Sequence, residues 1–226
     1  RDPEMSRGLG DVYKRQVTLS EDDLKRNDMY RANAQRAKAQ SRFADYHDYL
    51  LSLEMTAEIG DFSPLYLQRI TQLTNKSNQF NLTTKRYTAE QMEAVYNSDE
   101  YIRLYGKLYD KFGDNGVVAV TIGKTDSENK GRLDIELWLM SCRVLKRDME
   151  LAMLDSLVAQ AKKRGIREIY GHYYPTAKNK MVAGLYESFG FEKISQDEEC
   201  NTAWRLLVEG YEDKNTVIKV KEEHYA

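Results

Sequence analysis

The spacing of hydrophobic positions changes several times along the chain, and each change predicts an element. Residues 21 to about 42 are rich in Ala, Arg and Lys but carry only a thin apolar stripe, Leu24, Ala32 and Ala39, as expected of a helix that packs lightly or bridges two units. Ser20 followed by Glu21, Asp22 and Asp23 supplies its N-cap and an acidic first turn. Phe43 to Glu58 reads as a second, more apolar helix. Ser63 and Pro64 then start a helix over LYLQRITQL, and Thr88 to Gln91 is a capping box opening a short helix to about Asn97.

From Tyr101 the helical spacing gives way to strand-like runs near 101–112, 116–123 and 132–142, rich in Tyr, Val, Ile, Leu and Trp. Gly113-Asp114-Asn115-Gly116 and Asp126-Ser127-Glu128-Asn129 punctuate them as turns, which predicts an antiparallel meander. Leu151, Leu154, Val158 and Ala161 then fall at helical spacing, with basic residues 162–164 in the last turn and Gly165 as the stop. A strand follows at about 167–173. A helix over 178–189 has Met181, Leu185 and Phe189 on one stripe, and residues 191–194 and 203–208 read as final strands. The fold class is α/β (α+β), a mixed central sheet flanked by helices. The expected divisions are a helical connector over 17–75, the main domain over 76–210 and a C-terminal tail over 211–226.

Composition narrows the function. With 34 Lys+Arg against 36 Asp+Glu, the net charge of -2 offers no bulk positive field for nucleic acid or a membrane surface. No run of about 18 apolar residues predicts a transmembrane helix. Two cysteines, Cys142 and Cys200, make neither a disulfide framework nor a four-ligand zinc site, so a reducing, cytoplasmic setting without a metal centre is expected. Residues 1–16, RDPEMSRGLGDVYKRQ, have neither period and resemble adapter sequence read in frame. The chain is therefore expected to be a fragment of a longer protein.

Two segments carry candidate chemistry. SCRVLKRDME, 141–150, joins a strand to a helix start, where unpaired backbone N–H groups suit a diphosphate or a phosphopantetheine phosphate. Lys146 and Arg147 add positive charge there. Cys142 is placed to accept an acyl group, since nearby cations favour a nucleophilic thiolate, and His172, near the end of the adjacent strand, is a candidate base. The alternative for each is an ordinary core role. NKMVAGLYESFGF, 179–191, sets Tyr186 one position round from the core stripe. The polar residues from Gln79 to Thr84 have no assigned role.

Asn179, Tyr186 and Gly190-Phe191 stand in the spacing of the N-(x6)-Y-(x3)-G-F motif of GCN5-related N-acetyltransferases (GNATs). QLTNKSNQFNLTTKRYT (72–88), KFGDNGVVAV (111–120), LMSCRVLKRDME (139–150) and YYPTAKN (173–179) resemble the C-terminal half of FkbH-like proteins. That resemblance implies a GNAT-like domain following a phosphatase domain of the haloacid dehalogenase (HAD) superfamily, subfamily IIIC. Members release phosphate from a phosphoglyceryl group and load the glyceryl unit on an acyl carrier protein, for polyketide or surface-polysaccharide synthesis. The phosphatase half needs a D-x-D-x-T aspartate and Mg2+, and no such motif occurs in this chain.

In the related acetyltransferases, diverging strands admit the pantetheine arm, backbone N–H groups at the helix start hold its phosphates, and the tyrosine protonates the leaving thiolate. Carried over, this makes Tyr186 the acid and Arg143, Val144, Leu145, Lys146, Arg147 and Asn179 the cofactor contacts. The phosphate loop of that fold usually reads Q/R-x-x-G-x-G/A, whereas this chain has Arg143-Val144-Leu145-Lys146-Arg147-Asp148, without glycine. The arm of a carrier protein is thus expected in preference to free CoA. The competing readings are a non-catalytic module docking the carrier or the phosphatase domain, and a small-molecule N-acetyltransferase using acetyl-CoA.

Overall fold

The computed structural model describes residues 23–222, so the 1–16 tail and the Ser20 cap lie outside the described residues. The chain divides into two compact units between Ser52 and Leu53. The first contains helix α1 (23–40) and helix α2 (Tyr46–Ser52). Tyr49 stacks at a tilt on Phe43 and Tyr46. The helix expected over 43–58 is cut short, because Glu54 takes a positive φ of 53° and the alternating residues that follow form a strand.

In the second unit the elements are β1 (Met55–Gly60), α3 (Pro64–Lys76), α4 (Ala89–Tyr96), β2 (Tyr101–Asp110), β3 (Gly113–Thr125), β4 (Arg132–Met140), α5 (Met149–Lys163), β5 (Glu168–Tyr173), α6 (Leu185–Ser188), β6 (Glu192–Gln196), β7 (Thr202–Leu207) and β8 (Ile218–Glu222). They build one mixed eight-stranded sheet of order β6-β7-β5-β4-β3-β2-β1-β8. The mixed sheet flanked by helices matches the expected class. α3 and α4 supply Ile70, Leu73, Met92 and Val95 to a core with Tyr105, Val120, Ile122, Leu137 and Leu139. α5 buries Met149 and Met153 so close over β2 that a Cβ on Gly106 would lie 2.5 Å from Met149 Cε.

Local signals explain most of these starts and stops. Thr88 accepts from the Gln91 N–H while the Gln91 side chain accepts from the Thr88 N–H, the reciprocal capping expected at α4. Asp126 Oδ1 accepts from Glu128 N and Asn129 N in the predicted turn. Three expectations need correction. The β2–β3 turn falls at Lys111-Phe112 because Asp110 Oδ1 accepts from the Phe112 and Gly113 N–H groups, and Gly116 instead sits where the β2–β3 register shifts. The helix over 178–189 is replaced by a 3-10 turn (Lys180–Val182) and the single turn of α6, since the Asn179 side chain folds residues 174–179 into a loop. Val182 and Tyr186 are buried one position round from the expected Met181 and Leu185, Phe189 is buried as expected, and Met181 is exposed.

The third correction concerns the described part of the expected tail, 211–222. Asp155 on α5 accepts from the Tyr211 hydroxyl and from the backbone N–H groups of Lys214 and Asn215, steering that segment back to the sheet. Residues 218–222 then pair with β1 in parallel.

Candidate functional site

The opening between β4 and β5 is the feature that defines the site. These parallel strands pair only at Arg132↔Glu168, Leu133↔Ile169 and Asp134↔Tyr170. Beyond them, Ile122 faces Leu137 and Gly123 faces Ile135, so Glu136 is an extra residue that bulges β4 away from its neighbour. Such a divergence bares backbone donors and acceptors that need partners.

Here the chain partners them itself. Met140 N donates to Phe80 O at 3.0 Å, Leu82 N to Trp138 O at 3.1 Å, and Tyr174 N to Leu82 O at 2.9 Å. Thr83 Oγ1 adds a bond to Glu136 O at 2.7 Å. Residues 80–83 therefore lie as a short false strand in the gap, with Asn81 and Leu82 wholly buried. Their loop is pinned at its base by Arg86, which donates to Thr74 O, Ser77 O and Asn78 Oδ1. Asn179, also 0% exposed, holds the other side. Its Nδ2 donates to Asn81 O and Tyr174 O, both at 3.0 Å, and its Oδ1 accepts from Thr176 N at 2.7 Å. Expected as a cofactor contact, Asn179 has both amide atoms engaged in fastening this segment.

The loop from β4 to α5 has side chains at the positions where the phosphate-loop pattern has glycines. Ser141 Oγ accepts from Arg143 N, and a 3-10 turn runs over Cys142–Val144. Lys146 and Asp148 stand at the two glycine positions of the Q/R-x-x-G-x-G/A pattern, and each takes φ +63°. Left-handed backbone costs a non-glycine residue roughly 1–2 kcal/mol. Val144 is buried, Leu145 half-buried and Lys146 exposed. Arg147, expected to add surface charge, instead turns inward to Asp110 Oδ2 at 3.4 Å and donates to Arg143 O at 2.9 Å. Glu150, in the first turn of α5, is pushed above the usual carboxylate range by burial, against its own backbone N–H. At this helix start Lys146 and Asp148 replace the two glycines of the pattern, and the half-buried Glu150 carboxyl lies in the first turn. Residues 80–83 fill the gap between β4 and β5.

The three candidate catalytic groups are not brought together. The Tyr186 ring lies so close to β5 that a Cβ on Gly171 would be 2.4 Å from it, and the residue is 1% exposed. Its buried hydroxyl makes no hydrogen bond of ordinary geometry. Burial pushes this phenol far up, and the backbone of His172, the one opposing influence, is too weak to reverse that. His172 Nε2 lies 2.7 Å from Asp134 Oδ1, and Arg132 holds the same carboxylate. Cys142 follows Asp134 by eight residues of largely extended chain, roughly 20 Å or more. His172 is therefore held away from it. The exposed Cys142 Sγ–H instead donates to Gln79 Oε1 at 3.3 Å and borders an open cleft of about 630 Å³ reached by Arg69, Lys76, Arg143 and Lys178.

The sequence alone assigns no role to this false strand. Its signal was the alternation of apolar Phe80 and Leu82 with polar Gln79, Asn81 and Thr83, a strand pattern too short to stand out. Among the described residues no helix is long and apolar enough to cross a membrane, and no group of three or more His, Cys, Asp or Glu is placed to hold a metal.

Element order, the bulged β4 and its divergence from β5 together define the GNAT fold. The ribosomal-protein-S18-alanine N-acetyltransferase of Escherichia coli superposes with a TM-score of 0.51 at 13% identity, over 71% of this chain and 99% of that one. A putative GNAT-family acetyltransferase from Desulfovibrio desulfuricans gives 0.52 at 12% identity, over 68% and 99%. A putative acetyltransferase from Salmonella typhimurium, solved with its cofactor acetyl-CoA, gives 0.51 at 13% identity, over 70% and 96%. No family model and no curated protein matches the sequence.

Proposed function

We propose that this domain is the acyltransferase-like part of an FkbH-like enzyme, and that it handles an acyl group such as glyceryl on the thiol of an acyl carrier protein rather than on free CoA. The observation that carries the reading is the filled β4–β5 groove, beside which an exposed thiol at the end of β4 stays open to an accessible cleft. A carrier-borne thioester reaches such a thiol from outside without threading the sheet.

Cys142 is then the acyl acceptor. Its sulfur attacks the thioester carbonyl and a new C–S bond forms. Collapse of the tetrahedral intermediate breaks the C–S bond to the carrier, and the leaving thiolate takes the proton that Cys142 gave up. Tyr186 is sealed in the core and has no part in this step. Gln79, in hydrogen-bond contact with the thiol, orients it. The partners this reading requires are the carrier protein and a HAD-type phosphatase domain, to which the Mg2+ chemistry belongs.

Incubating the protein with glyceryl-loaded carrier protein and following intact mass tests the reading. A glyceryl adduct on the wild type that is missing from Cys142→Ala is expected. If neither adduct nor loss of glyceryl from the carrier appears, the docking-module reading takes its place; the sealed Tyr186 and the occupied glycine positions favour it. Calorimetry with millimolar acetyl-CoA is expected to show no binding. Measurable affinity there favours the N-acetyltransferase reading instead.

A further inference from the structure

We infer that the cleft beside Cys142 is a phosphate-binding site built from side-chain cations, in place of a glycine loop whose two glycine positions carry Lys146 and Asp148 in this chain. Four cations reach it from three separate parts of the chain: Arg69 and Lys76 from α3, Arg143 from the β4–α5 loop and Lys178 from the loop after β5. No carboxylate lines the cleft, and none of the four makes an ion pair among the described residues.

Several other arginines of the domain meet a carboxylate. Arg103 is buried against Asp61, Arg147 against Asp110, and Arg132 and Arg205 each meet carboxylates. Half-buried Arg69 meets none among the described residues. Burial, and then the positive charge of Arg143, push its guanidinium down from the ordinary arginine range. Among the described residues its side-chain hydrogen-bond partner is the neutral Gln72. Two guanidinium groups held near each other without a counter-charge repel, and an anion between them turns that repulsion into two attractive contacts. Lys76 has a structural use as well, since a cation in the last turn of α3 suits the helix dipole. Arg143 and Lys178, both exposed on loops, have no such use.

Guanidinium pairs match the tetrahedral oxygens of phosphate in a bidentate way. The inference rests on the proposed thioester chemistry only for where the phosphate comes from. Two sources share the chemistry: the phosphodiester of a carrier's pantetheine arm, and a phosphate ester borne by the acyl group itself. The site needs neither a bound carrier nor an acyl transfer to be detected.

Titration calorimetry of the whole chain with 4′-phosphopantetheine, with pantetheine and with glycerol phosphate tests it. One of the two phosphate compounds is expected to bind with a strongly salt-dependent affinity, and pantetheine about tenfold more weakly or not at all. Tighter binding of 4′-phosphopantetheine assigns the carrier arm, and tighter binding of glycerol phosphate assigns the acyl group. Arg143→Gln and Lys178→Gln, at exposed positions that leave the fold intact, are expected to weaken the phosphate compound roughly tenfold each, with Arg143→Lys recovering part of the loss. The proposal is overturned if neither phosphate compound binds at millimolar concentration, or if both glutamine variants bind as the wild type does. Phosphate binding without a glyceryl adduct in the mass experiment retains this site and removes the acyl-acceptor role of Cys142. An adduct with no phosphate dependence does the reverse.

Discussion

Replacing Asn179 is the sharpest probe of the filled groove. In the native domain its amide satisfies three backbone groups, Thr176 N–H, Asn81 C=O and Tyr174 C=O, and a fourth, longer contact at 3.4 Å comes from the Tyr173 hydroxyl. Asn179→Ala strands those groups at a fully buried position. Each unsatisfied group costs about 1–3 kcal/mol, so the loss should reach roughly 3–5 kcal/mol after some relaxation. Asn179→Asp keeps the acceptor for Thr176 N–H but turns the donor into an oxygen facing two carbonyls, and should be no better than alanine. Urea denaturation gives the free energies, and amide exchange at Leu82 and Tyr174 reports whether the false strand loosens. A loss below about 0.5 kcal/mol, unchanged exchange at both amides, or an aspartate variant clearly more stable than the alanine one refutes the fastening role.

Other substitutions separate packing from chemistry. Tyr186→Phe deletes a buried hydroxyl without a hydrogen bond, so stability should hold or rise by up to about 1 kcal/mol and glyceryl transfer should continue; a thermal melt and the mass assay check both. Gly171→Ala drives a Cβ into the same ring and should destabilise by about 2–3 kcal/mol in urea titration. Lys146→Gly with Asp148→Gly relieves two left-handed positions and should raise the melting temperature, with a gain of about 1 kcal/mol once glycine's unfolded-state freedom is counted.

Two carboxylates set opposite pH trends. Burial raises Asp134, but hydrogen bonds from His172 and Arg132 outweigh it and hold the group below its usual range. Its stabilisation is therefore present above about pH 4 and fades as pH falls through the depressed value, a loss that Asp134→Asn should abolish. Glu150 is raised, so its ionisation opposes folding at neutral pH; Glu150→Gln should stabilise at pH 7 and not at pH 4, read from melting curves across pH.

What the sequence disclosed was mainly local. The capping box at Thr88 and Gln91, the α5 stripe ending at Gly165 and the three-strand meander all follow from periodicity and turn chemistry within a few residues. The groove filling was hidden because Phe80 and Leu82 become strand-like only by pairing with Trp138, Met140 and Tyr174, far along the chain. Lys146 and Asp148 were visible as missing glycines, yet their left-handed backbone was not, since propensity argues against it. Arg147 looked like surface charge because nothing nearby announces Asp110 as its partner.

The pairing of β8 with β1 bears on how the protein is made. Met55 meets Ile218, so β1 leaves the ribosome roughly 160 residues before the strand that covers it. Throughout that interval its outer row of N–H and C=O groups is an open template for another chain. Closing the sheet is a late, long-range event that Asp155 prepares by catching Lys214 and Asn215 as they emerge. A version ending near residue 211 would keep the whole groove and cleft yet leave that template bare, and should aggregate during expression rather than fail to fold around its core.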